Sequence, residues 1–275
     1  MTTTTILLLA GKGTRLLPYT FEKPKCQVSI GETTLVDYQL EKLNNSNLLE
    51  NLLIITGYKS EKLDYINGKK IHNELYETTN LVYSLYKARN ELLETESVII
   101  SYGDIIYDDS VLNRLNEVES EITIVADRNW RDYWSSRLDN PLEDAKVFKT
   151  SNEGSIIDIG GVPNKYSDAE AQYIGLSKFQ GKGVKKLVEA LDFIFSKDEK
   201  IKSTLNKESN QFVMHDLFNL LVNNGERLIP LFIEGDFIEI DTSKDYEEFL
   251  KVYDSSKSVR EMRIEIEANN LTRIK

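Results

Sequence analysis

Ile6-Leu7-Leu8-Leu9-Ala10-Gly11-Lys12-Gly13-Thr14-Arg15-Leu16 is the stretch from which the fold can be read outward. Its apolar part, residues 6–9, is short and stops at two glycines, the pattern of a buried parallel strand that ends in a tight turn. Glycines directly after a strand let backbone amides approach a polyphosphate. Arg15, and Lys25 from Lys23-Pro24-Lys25, stand ready to neutralise one. Taken alone, Gly-x-Gly also fits a tight turn with no ligand. It is not the P-loop of ATPases, whose first glycine would fall on Ile6. Nor is it a dinucleotide fingerprint, whose third glycine would fall on Leu16 and whose acidic partner is missing at the expected distance.

Further short apolar runs lie at 52–56, 97–102 and 122–126. Between them are helical patterns at 35–43, at Leu81, Leu85, Ala88 and Leu92, and at 111–115. Strands alternating with helices predict a right-handed, mostly parallel α/β sheet. Beyond residue 127 the alternation stops. Residues 146–150, 156–159 and 172–179 read as strands of a mixed or antiparallel extension, 183–196 and 211–223 as helices, and 228–233 with 237–241 as a hairpin across Gly235-Asp236. From Ser243 the chain is charged and helical. With no repeat or linker, the expectation is one domain over 1–275: a core of about 1–126 and 172–246, a small inserted lobe at 127–171, and a helical C-terminal segment at 247–275.

Composition narrows the chemistry. The 275 residues are 40% hydrophobic and 29% charged, with no apolar run able to cross a bilayer. The N-terminus lacks the basic region of a signal peptide, so a cytoplasmic protein without membrane association is expected. One cysteine, Cys26, excludes an internal disulfide, and two histidines, His72 and His215, make a structural zinc site implausible. A net charge of −11 disfavours nucleic acid as a partner. An anionic ligand must instead meet a local cluster of cations or a metal ion.

Carboxylates suited to a hard cation occur twice. Asp104 ends the apolar run 98–102 after Gly103, on the edge where open α/β sheets bind ligands. Glu239-Ile240-Asp241 places two acids on one face of a strand. Such donors suit Mg2+, although acids at strand ends also cap or face solvent. Asn80 and Ser84 lie one helical turn apart and could face a ligand or cap a helix. Trp130 and Trp134 flank Tyr133; aromatic faces can hold a cationic amine, or pack the lobe onto the sheet. Arg131 and Arg137 could bind an anion or pair with Asp132 and Asp139.

Leu-Ala-Gly-Lys-Gly-Thr-Arg-Leu, Pro18, Thr20 and Lys23-Pro-Lys25 together resemble the signature of the sugar-1-phosphate nucleotidyltransferase superfamily. The resemblance implies a Rossmann-like, mostly parallel (mixed) sheet flanked by helices, with a small inserted lobe. It further implies a triphosphate wrapped by Ala10, Gly11, Gly13 and Thr14 with Gly103 nearby, Arg15 on the pyrophosphate leaving group, Lys25 on the α-phosphate, and Mg2+ on Asp104, Glu239 and Asp241, the last opening an Asp-Thr-x-x-Asp-Tyr run to Tyr246. Asn80-Leu-Val-Tyr-Ser84-Leu85 resembles the Asn-x-x-x-Ser-Leu element of phosphocholine cytidylyltransferases. Asn129–Arg137 with 140–145, Ile159-Gly160 and 172–176 is similar to nucleotidyltransferases near phosphonate and capsule-modification pathways. This branch implies CTP as the nucleotide and phosphocholine, phosphoethanolamine, 2-aminoethylphosphonate or a similar small acceptor, bound by Trp130, Trp134, Arg137 and Tyr173. Leu9 departs from the Ala or Gly common beside the nucleobase. The rival readings are a sugar-1-phosphate uridylyl- or thymidylyltransferase and a catalytically silent nucleotide-binding module. The charged tail leaves a homo-oligomer contact open. His72 is expected at the surface, Cys26 packed inward, and His215-Asp216 on a helix near the site.

Overall fold

A computed structural model describes residues 3–199, 205 and 207–271. Seven strands form the central sheet: β1 (Thr3–Leu8), β2 (Asn51–Thr56), β3 (Lys69–His72), β4 (Ser97–Tyr102), β5 (Ile122–Asp127), β6 (Gln172–Gln180) and β7 (Ile229–Ile233). Their order is β7-β5-β6-β4-β1-β2-β3, and only β6 runs against its neighbours, β4 and β5. The expected mostly parallel, mixed sheet is therefore present. Residues 172–180 do not extend it at an edge, however: they thread into its middle, paired on both sides and buried along nearly their whole length.

Each sheet face carries a core, and the alternation of β1 shows why. Leu7 packs with Ile54, Ile99 and Val125 on one face; Ile6 and Leu8 pack with Leu53, Ile55, Val98 and Ile100 on the other. Burial on both faces explains why these strands read as unbroken apolar runs. The pattern at 81–92 divides into two short helices, Leu81–Tyr86 and Arg89–Leu93. The expected helices at 183–196 and 211–223 are Lys182–Ile194 and Met214–Asn223. Of the C-terminal segment, Ser243–Val252 and Val259–Leu271 are helical, and 272–275 lie outside the described residues.

The anticipated hairpin does not form. β7 joins the sheet parallel to β5, while Phe237–Glu239 pairs antiparallel with Ile105–Tyr107. The reversal is prevented at the turn, where the Gly235 amide donates to Asp127 Oδ1 (2.9 Å) and Gly235 takes φ 92°. Asp127 Oδ2 meanwhile accepts from Arg263 Nη1 at 2.5 Å, both side chains being buried. The chain is thereby carried across the end of β5 and laid beside the segment that follows β4.

Candidate active site

The site lies at the topological switch of the sheet. β1 and β4 are adjacent and parallel, with Leu8 opposite Tyr102, and the crossovers from them run to opposite sides. Open α/β sheets leave a crevice at the carboxyl ends of such a pair. The glycine loop follows β1 and Gly103-Asp104 follows β4, so both open into it. The pairing of Phe237–Glu239 with Ile105–Tyr107, extended by the Ile240 amide donating to the Asp104 carbonyl (2.9 Å), delivers the second acidic cluster to the same place. Leu8, Leu9, Gly11, Arg15, Lys25, Cys26, Leu81, Tyr102, Gly103, Asp104, Glu239 and Asp241 line the resulting cleft.

Glycine is required at two points. Gly13 takes φ 66°, and a Cβ there would stand 2.8 Å from Lys25 Cβ; its carbonyl accepts from Thr20 Oγ1 at 2.8 Å. At Gly103 a Cβ would meet Leu9 Cδ2, so Leu9 can seal the floor only because residue 103 has no side chain. Gly11 meets nothing and leaves the loop's backbone open to the cleft.

The charges converge. Lys25 Nζ donates to Asp104 Oδ2 (2.5 Å) and Asp241 Oδ1 (2.7 Å), and Arg15 Nη2 lies 2.6 Å from Asp241 Oδ2. Burial alone would depress the Lys25 ammonium, but Asp104 and Asp241 outweigh it and hold the pKa above its usual range. Glu239 is pushed up to about 7 by burial; Arg137 opposes this, while Asp104 and Asp241 add to it. Carboxylate oxygens gathered in this way are hard donors suited to a divalent cation. The Oδ1 atom of Asp104 is, in addition, buried without a hydrogen-bond partner. These oxygens fit Mg2+ in kind. Among the described residues, however, no group of three His, Cys, Asp or Glu side chains is arranged as a ready metal site, because the Lys25 ammonium sits between two of the acids.

The Asp-Thr-x-x-Asp-Tyr run acts as a clamp. Thr242 caps the helix Ser243–Val252, and Asp245 accepts from the amides of Asp241 (3.2 Å) and Thr242 (2.8 Å). Tyr246 Oη donates to the Ser29 carbonyl at 2.6 Å. Arg137 makes two 2.9 Å bonds to the Asp245 carboxylate and reaches Glu239 at 3.1 Å. It is thus committed to holding the acids rather than left free for an acceptor's phosphate.

Several expected contacts are made elsewhere. Ser84 Oγ accepts from Asn73 Nδ2 (3.0 Å) and Asn80 Nδ2 donates to the Gln211 carbonyl (3.2 Å), so neither lines the cleft; Leu81, between them, does. Ala10 is buried against Gly57, its carbonyl accepting from the Tyr58 amide at 3.1 Å, and Thr14 is exposed at the start of a 3-10 turn. Trp130 is a core side chain, 2% exposed, whose Nε1 donates to the Ala169 carbonyl at 2.9 Å. Trp134 packs edge-on to it, and the Arg137 guanidinium lies 5.6 Å from the Trp134 ring centroid. The two indoles therefore do not form an open cage.

Beyond the wall made by Tyr102 and Glu239 lies a second chamber of about 150 Å³. Trp134, Tyr173, Asp144, Lys146, Gln172 and His215 line it. Tyr173 stands edge-on to both Tyr102 and His215, at 5.7 and 5.6 Å. Burial, and then the nearby Lys146 charge, push the His215 imidazole down to about 4, so it is neutral near pH 7. Lys146 and His215 carried no sequence pattern that marked them; only the position of His215 on a helix near the site was legible.

The Nucleotidyl transferase family matches residues 4–129, from β1 through the glycine loop and Asp104 to the end of β5. Over 251 residues the chain is 35% identical to the CTP:phosphoglutamine cytidylyltransferase of Campylobacter jejuni, covering 88% of this chain and 97% of that one. The chain belongs to the nucleotidyltransferases, on their cytidylyltransferase branch. The choline-phosphate cytidylyltransferase of Streptococcus pneumoniae shares 34% identity over 114 residues, 40% of this chain and 48% of that protein. The solved structure of CTP:phosphocholine cytidylyltransferase from the same organism superposes with a TM-score of 0.67 at 22% identity, covering 92% and 99% of the two chains. The inositol-1-phosphate CTP transferase of T. maritima gives 0.66 at 19% identity, covering 97% and 96%. Both structural likenesses speak to the fold shared by these nucleotidyltransferases. Among the described residues no helix is long and apolar enough to cross a membrane.

Proposed function

We propose that this protein is a Mg2+-dependent cytidylyltransferase that transfers CMP from CTP to a small acceptor bearing a phosphoryl group and releases pyrophosphate. The observation that carries this reading is the convergence of Arg15 and Lys25 with Asp104, Glu239 and Asp241 in the switch-point cleft. Lys25 and Arg15 bind the triphosphate, Lys25 turning from the acids to the α-phosphate and Arg15 to the departing pyrophosphate. Asp104, Glu239 and Asp241 would hold Mg2+, which supplies charge neutralisation at the phosphates when bound. Gly11 and Gly13 keep backbone amides within reach of phosphate oxygens. The acceptor's phosphoryl oxygen is anionic near neutral pH, so this chain need supply no general base.

The acceptor enters beside Trp134 and Tyr173, from the second chamber. Phosphoglutamine, named for the full-length relative, is the first compound to test, with phosphocholine, phosphoethanolamine and 2-aminoethylphosphonate beside it. Pyrophosphate release would be measured with each of CTP, UTP, dTTP and ATP against this panel and glucose-1-phosphate. CTP with one of the small acceptors should give the highest rate. Turnover with UTP or dTTP and glucose-1-phosphate, without turnover of CTP, would move the protein to the sugar-nucleotide branch. No turnover of any pair would favour a silent nucleotide-binding module.

A further inference from the structure

The chamber beyond Tyr102 contains fixed charge of both signs and no open aromatic cage. Lys146 and Asp144 both line it, as does the neutral His215. Lys146 Nζ uses one donor on the Asp144 carbonyl (2.7 Å), a second contact to the Ala145 carbonyl being long at 3.5 Å. An ammonium has three donors, so capacity remains for a ligand. The Asp144 carboxylate is held by Trp134 Nε1 through Oδ2 at 3.0 Å, which leaves Oδ1 to accept. The backbone of residue 146 is fixed by Gln172, which accepts from its amide (2.8 Å) and donates to its carbonyl (2.7 Å), so the base of the lysine is anchored in the chamber wall. The aromatic face that a quaternary amine would need already has its own cation, Arg137, over Trp134 and Tyr133.

Resting on the cytidylyltransferase reading above, we propose that this chamber selects an acceptor whose far end is an α-amino acid head group, with Lys146 pairing its carboxylate and Asp144 its ammonium. The phosphoryl end then points past Tyr102 and Glu239 into the nucleotide cleft, and the head group decides which phosphorylated compounds are used. His215, neutral, adds a hydrogen-bond donor or acceptor without adding charge. A charge-assisted hydrogen bond in such a site is strong enough to discriminate by about tenfold or more.

The test compares kcat/KM for phosphoglutamine with that for the same compound lacking its α-carboxylate, with phosphocholine as a third acceptor. The wild type should favour the carboxylate-bearing compound by about tenfold or more. Lys146→Met should bring that ratio close to one, Lys146→Arg should keep most of it, and Lys146→Glu should invert it; a melting curve for each variant identifies any that fails to fold. CTP turnover with no preference for the carboxylate, or a preference that Lys146→Met leaves intact, overturns the head-group assignment while the cytidylyltransferase reading stands. Preference for phosphocholine does the same. Absence of CTP turnover with every acceptor overturns both.

Discussion

Lys25 is the residue on which the proposed chemistry turns: it holds Asp104 and Asp241 together now, and in the proposed reaction it moves to the α-phosphate. Replacing it by methionine keeps the length of the stem and removes the charge. We expect kcat to fall by about 10²–10³-fold, the usual cost of deleting a preorganised electrostatic contact to a reacting group. Pyrophosphate release at saturating CTP measures it; a rate within a few-fold of wild type would contradict the α-phosphate role. His215 gives a prediction of another kind. Its folded pKa, about 4, lies below its ordinary 6.5, so as pH falls through this window the unfolded chain takes up the proton first. Stability must therefore decline from about pH 6.5 towards 4, and His215→Gln should flatten that part of the curve. Urea midpoints at pH 4.5 and 7.5 for both proteins provide the comparison.

Local elements show what a sequence pattern can and cannot carry. The glycine loop, Asp104 and the Glu-x-Asp pair were legible because each couples a strand's end to residues with a narrow chemical use. Asn80 and Ser84 lie one helical turn apart, yet Asn73 claims the Ser84 side chain and the Gln211 carbonyl, remote in sequence, claims that of Asn80. Trp130 was ambiguous because an indole serves a core as well as a ligand; burial decides, and burial is a tertiary property. For Arg137 the sequence leaves open an anionic ligand or a pairing with Asp132 and Asp139; its partners are Asp245 and Glu239, a choice set by where the helix Ser243–Val252 docks. Burial would raise the Asp245 carboxyl, but the bonds from Arg137 dominate and hold it below its ordinary value. Arg137→Met should accordingly destabilise the protein by about 3–5 kcal/mol, as breaking one partner of a buried ion pair does. Asp245→Asn made alongside it should add little further loss. Equilibrium unfolding in urea of the two single variants and the double variant would reveal the coupling.

At the scale of the whole molecule, alternating helices and apolar runs sufficed for the parallel half of the sheet. Two features escaped: the insertion of β6 between β4 and β5, and the crossing of Phe237–Glu239 to Ile105–Tyr107. Both depend on pairings between distant segments: the local pattern at 172–179 fits an edge extension equally well, and that at 228–241 a hairpin. The second is secured by the C-terminal helix, since Arg263 and the Gly235 amide share the buried Asp127 carboxylate. Arg263→Met is expected to speed hydrogen exchange at residues 235–241 far more than along β1, because the turn that delivers Glu239 and Asp241 loses its anchor. Equal acceleration throughout would mean that Arg263 supports global stability alone. In the proposed reaction one cleft gathers the basic loop and the distant acids around a single metal-bound triphosphate. A crystal grown with CTP and Mn2+, examined by anomalous scattering, tests it most directly. The expected result is a peak against Asp104, Glu239 and Asp241, with the Lys25 ammonium moved onto the α-phosphate; a triphosphate bound elsewhere, or Lys25 still bridging Asp104 and Asp241 beside bound nucleotide, would rule the proposed reaction out.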